Sequence, residues 1–71
     1  MAQMDEELVT RLEAIQETMG ALYQDLEALR GDLKSGGFKA DATALNEPLE
    51  RIARYGRLFS DMLVTWTEPQ D

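Results

Sequence analysis

From Leu8 to Leu33 the apolar residues Leu8, Leu12, Ile15, Met19, Leu22, Leu26, Leu29 and Leu33 follow one another at alternating spacings of four and three. A helix turns every 3.6 residues and this alternation averages 3.5, so the stripe stays on one side of the helix and reads as a heptad seam. Leu12, Met19, Leu26 and Leu33 occupy the a positions, and Leu8, Ile15, Leu22 and Leu29 the d positions. A second, shorter pattern follows with the same alternation: Leu45, Leu49, Ile52, Phe59, Leu63 and Trp66, with Gly56 in the seam between Ile52 and Phe59.

The signals at the ends of these patterns set the elements. Asp5 is suited to cap a helix, and Glu6 and Glu7 place negative charge in its first turn, where the helix dipole favours it. Ser35-Gly36-Gly37 supplies the stop, because glycine tolerates the left-handed conformation that ends helices. Helix 1 is therefore expected over residues 5–34, roughly 45 Å long at 1.5 Å per residue. Residues 35–46 form the connection, short enough to return the chain antiparallel. Asp41 could cap a second helix beginning at Ala42, or Asn46 one beginning at Glu47 with Pro48 in its first turn. Proline's clash with a preceding turn favours the later start, so helix 2 is expected over 47–67, with residues 41–45 as a separate helical turn or extended lead-in. Residues 68–71 read as a flexible tail, and Met1 to Met4 as a frayed end.

Small residues refine this picture. Ala14, Ala21 and Ala28 recur at c, and we expect them to widen the apolar face of helix 1 for bundle packing. Gly20 and Gly31 fall at b and f, on the outer face. Gly56 either invites close approach or leaves a gap.

Size then forces a conclusion about association. Seventy-one residues make one domain and bury a modest core, and a chain this small is usually supplemented by disulfides, a metal or another chain. The sequence contains neither cysteine nor histidine, which removes disulfides, thiolate sites and the commonest nitrogen ligand. Association remains. The expected fold is all-α: an antiparallel helical hairpin of two long helices that dimerises into a four-helix bundle, its self-association seam made by the eight residues from Leu8 to Leu33 with Leu49, Ile52, Phe59 and Leu63.

The charge bears on partners. Fourteen acidic side chains against seven basic ones give −7, which repels phosphate backbones and anionic membrane surfaces. No apolar run is long enough to span a bilayer, and no signal segment opens the sequence. The expected partner is another protein, not nucleic acid or membrane, in the cytoplasm.

Catalytic chemistry finds little to work with. Ser35 and Ser60 have no histidine to activate them, and Glu13 and Glu17 share a solvated face without a cleft. No Asp-rich loop of calcium-binding spacing occurs. No catalytic residue, cofactor or metal is expected. Arg51, Arg54 and Arg57 form the one basic cluster, each with an acidic residue four positions away, at Glu47, Glu50 and Asp61, so they read as intrahelical pairs. Arg30-Gly31-Asp32 matches an adhesion tripeptide by chance.

Partner-contact candidates are the aromatic and methionine side chains: Trp66 with Met62 at the helix 2 end, Tyr23 and Tyr55 at the seam edge, and Phe38 in the loop. Each is equally suited to closing the bundle. The outer carboxylates Glu6, Glu13, Glu17 and Glu27 form an acidic face. The leading expectation is a small non-enzymatic adaptor or inhibitor that binds a larger protein. The alternatives are an acidic mimic that blocks a nucleic-acid-binding protein, and an accessory subunit that completes a larger helical complex.

Overall fold

The computed structural model describes residues 4–68, and every regular element among them is an α-helix: α1 Glu6–Ser35, α2 Lys39–Ala44 and α3 Asn46–Thr67. The expectations for Met1–Gln3 and Pro69–Asp71 lie outside the described residues. Asp5 caps α1 as its sequence position implies: its carboxylate accepts from the Glu7 backbone N–H at 3.0 Å, satisfying one of the four donors a helix start leaves free.

The far end of α1 closes by a Schellman arrangement. The Phe38 N–H donates to the Leu33 carbonyl at 2.8 Å and the Gly37 N–H to the Lys34 carbonyl at 3.2 Å, with Gly37 in the left-handed region at φ 87°. Only glycine enters that region without a Cβ penalty. The Phe38 ring folds back over Gly36, where an added Cβ would meet its Cδ2 at 3.2 Å.

The connection is shorter than residues 35–46, because α2 occupies half of that stretch and Ser35 and Asn46 belong to α1 and α3. Its Ala42 is fully buried, a methyl group that lets the short helix lie close against α1. Pro48 explains why α2 and α3 are two helices: it has no N–H to give the Ala44 carbonyl four residues back, so the ladder breaks there. Leu45 stays in the right-handed region at φ −78°, ψ −11°, and the chain bends instead of unwinding. Asn46 does not cap α3 with its side chain. Its Oδ1 accepts instead from Arg30 Nη1 at 2.7 Å, which ties the start of α3 to the α1 wall.

α3 then returns along α1. Gln16 Nε2 donates to Ser60 Oγ near one end of the pair, and Arg30 to Asn46 near the other. In both pairs the residue numbers total 76, so residue n of α1 lies level with residue 76 − n of α3.

The result is one layer of helices. The Cα trace measures 56 × 16 × 11 Å, with a radius of gyration of 16.5 Å against roughly 11 Å for a compact chain of this length. Stable domains are ordinarily built from at least two packed layers around a core. Here the core is thin: among the described residues only Leu12, Ala42 and Leu49 are buried apolar side chains, at 6%, 0% and 3% exposure.

Candidate interaction surface

The heptad seam of α1 divides between two environments. The a residues Leu12, Met19, Leu26 and Leu33 are buried or half-buried, whereas the d residues Leu8, Ile15, Leu22 and Leu29 are 43%, 49%, 46% and 47% exposed. The other half-buried row on α1 is Val9, Gln16, Tyr23 and Arg30, again seven apart, at e. α3 therefore lies over the a and e side, about 40° round from a at 100° per residue, and leaves d uncovered. Leu49, Ile52, Phe59 and Leu63 face this contact from α3, buried or half-buried. They and the a row make the fold of the single chain.

The alanines do not widen that face. Ala14, Ala21 and Ala28 are exposed, because c lies about 160° round the helix from a, and they look into solvent. Breadth comes from the e row.

The flank of α3 that adjoins the d row carries Pro48, Tyr55, Leu58, Met62 and Trp66. In two antiparallel right-handed helices, positions displaced in the same rotational sense from the mutual contact come to the same side of the layer, since reversing the direction and facing the other way cancel. The d residues and these five are displaced in that shared sense. Tyr55 and Leu58 are 48% and 52% exposed, Pro48 is exposed, and Met62 and Trp66 are half-buried. That broad face of the hairpin is thus largely apolar, with exposed Arg51, paired to Glu47, standing in the same row three residues after Pro48 and four before Tyr55.

The opposite broad face differs. There an open groove of about 520 Å³ is floored by Met19, Tyr23 and Ile52 and edged by Gln16, Gln24, Glu27, Arg57 and Ser60. Its depth comes from Gly20 on α1 and Gly56 on α3: a Cβ built at either meets nothing within 4 Å. Gly56 leaves a gap.

Apart from Arg51, the charged side chains decorate the periphery. Glu47–Arg51 and Glu50–Arg54 pair at 2.7 and 3.6 Å, each worth a few tenths of a kcal/mol at such exposure. Arg57 and Asp61 do not form the pair their spacing allows, and among the described residues Arg57 has no ion-pair partner. Glu6, Glu13, Glu17 and Glu27 are all exposed, with Glu27 4.0 Å from Arg30. Val64, at 58% exposure, and Phe38, also 58%, stand away from the apolar face, Phe38 at the hairpin tip.

The structure thus distributes the contact candidates. Tyr55, Met62 and Trp66 belong to the apolar face, Tyr23 to the groove floor, and Phe38 to the tip. Leu58 and the groove were not legible as a site. The signal for Leu58 was its spacing of three and four from Tyr55 and Met62. No described helix is long and apolar enough to cross a membrane. No protein-family model, curated protein or solved structure matches this chain.

Proposed function

We propose that this chain is a non-enzymatic protein–protein interaction module that works in the cytoplasm as a dimer of hairpins, a four-helix bundle, and binds a larger protein as an adaptor or inhibitor. The observation that carries the reading is the uncovered d row: four large aliphatic residues, each more than two-fifths exposed, continuous with the Tyr55–Trp66 flank of α3. A second layer laid on that face supplies the core that a single layer lacks. The exposed d row runs about 32 Å along α1, from Leu8 to Leu29 at 1.5 Å of rise per residue, on a layer 16 Å wide.

Such a dimer leaves the groove faces, the acidic row and the tip free. These are the surfaces offered to the larger partner, and the net charge of −7 favours one with a basic or neutral docking surface.

Sedimentation equilibrium with circular dichroism across a concentration series tests the assembly. The expected result is a helical dimer whose melting midpoint rises with concentration, and which Leu22→Glu converts to a monomer. A well-folded wild-type monomer at every concentration overturns it. For the partner, purified wild-type dimer and a groove variant, Gly56→Arg, are compared as baits in native extract. A protein retained by the first and lost by the second supports the adaptor reading. Retention that vanishes with modest salt and with charge reversal at Glu13 and Glu17 supports the acidic mimic instead.

A further inference from the structure

The apolar face has an internal symmetry along its length, and that symmetry specifies how a second copy sits on it. On α1 the d residues are equally spaced about a midpoint between Thr18 and Met19, so Leu8 mirrors Leu29 and Ile15 mirrors Leu22, each pair totalling 37. The register set by the Gln16–Ser60 and Arg30–Asn46 hydrogen bonds places that midpoint level with residues 57 and 58 of α3. A mirror point there requires pairs on α3 that total about 115. Pro48 with Trp66 gives 114, Leu58 with itself 116, and Tyr55 with Met62 117. Arg51 stands outside this pairing; the apolar positions of two helices of different sequence are otherwise palindromic about one common level.

Only one way of stacking two such faces uses this property. A twofold axis crossing the helices at right angles reverses the long direction and lays α1 on α1 and α3 on α3. A twofold axis along the helices lays α1 on the partner copy's α3, keeps both tips at one end, and makes no use of symmetry along the length. Isologous contact across a transverse axis requires the surface to be its own complement under that reversal.

The charges outside the d row agree. The g positions of α1 are Arg11, Thr18, Asp25 and Asp32, so positive charge sits toward one end and negative toward the other. Reversal about the same level sets Arg11 of each copy opposite Asp25 of the other, twice per dimer, with Thr18 on the axis. Arg11 and Asp25 are both exposed, and neither is in an ion pair among the described residues.

From this geometry we infer that the dimer is built on a transverse twofold axis through the level of Thr18 and Leu58, with α1 antiparallel to α1 of a second copy, Leu8 on Leu29, Ile15 on Leu22, and Arg11 beside Asp25 in trans. The inference rests on the dimer proposed above and specifies its arrangement. The hairpin tips then lie at opposite ends of the bundle, and the two Gly20–Gly56 grooves face outward on opposite sides.

The test places a nitroxide spin label at the tip through Lys39→Cys, an exposed position in a chain that has no other cysteine, and measures the distance between copies by pulsed dipolar spectroscopy. The expected distance is roughly 55 Å, from 1.5 Å of rise per residue over the reversed register. A distance of about 20 Å or less places both tips at one end and overturns the arrangement while keeping the dimer, since neighbouring helices sit only about 8–10 Å apart. Absence of any dipolar signal at concentrations where the wild type sediments as a dimer also counts against the arrangement. Absence of a dimer by sedimentation overturns the reading beneath it. In parallel, Arg11→Asp is expected to weaken dimerisation roughly fivefold, and Arg11→Asp with Asp25→Arg to restore it to within about twofold. Failure of the double variant to recover any affinity overturns the trans pair.

Discussion

Leu12 and Ile15 stand three residues apart in one heptad of α1, yet Leu12 is 6% exposed and Ile15 is 49% exposed. The two side chains have different surroundings. Leu12 is enclosed by the chain's own α3, and Ile15 by nothing in the single chain.

Their substitutions are therefore expected to differ in kind. Leu12→Ala removes a buried side chain and is expected to cost about 2–5 kcal/mol, lowering the melting midpoint at every protein concentration. Ile15→Glu acts through association, so its midpoint loses the concentration dependence of the wild type. Melts by circular dichroism over a hundredfold range of concentration separate the two. Equal concentration dependence in both variants would place Ile15 outside any interface.

The glycines of the chain are expected to respond with opposite signs. Gly20 and Gly31 are helical, and a Cβ at either meets nothing within 4 Å, so alanine there is expected to stabilise by up to about 1 kcal/mol each. Gly37 holds φ 87°, where alanine carries a left-handed penalty of about 1–2 kcal/mol. Thermal melts of the three single variants check the signs, and a neutral Gly37→Ala would mean that the Schellman turn does not set the α1 terminus.

Asp5 predicts a smaller, local effect. Asp5→Ala is expected to cost about 1 kcal/mol through the lost cap on Glu7 N–H, and Asp5→Asn to retain most of it. Amide hydrogen exchange of the first turn of α1 is the direct readout: faster exchange in the alanine variant alone is the expected pattern.

The Arg30–Asn46 bond is expected to set where α3 begins its return. A double-mutant cycle with Arg30→Ala and Asn46→Ala should give a coupling of about 0.5–1 kcal/mol, modest because both groups reach solvent. Strict additivity would show that Pro48 alone places the bend.

Much of this organisation was legible from local chemistry. The Asp5 cap, the Gly36-Gly37 stop and the break ahead of Pro48 each depend on groups within four residues of one another, so composition at those positions is enough to place them. The heptad stripe likewise announced a helix with one interacting side. What local pattern could not assign was which half of the stripe served which neighbour. The spacing of a and d is the same whether the partner is in the same chain or another. The alanines at c show the same ambiguity: their regular spacing suggested a packing face, but angle around the helix, not spacing, decides what a row touches.

Two long helices and a tight return are thus consequences of sequence alone, because helix periodicity and caps are properties of a few neighbouring residues. The division of the seam, the common level of Thr18 and Leu58, and the groove between Gly20 and Gly56 exist only once α3 has a rotation and a register against α1. Tertiary contacts between residues far apart in sequence choose those two quantities: Gln16 with Ser60, and Arg30 with Asn46. Rotation sends four leucine and isoleucine side chains out of the fold, and register sets which residues of α3 stand level with them.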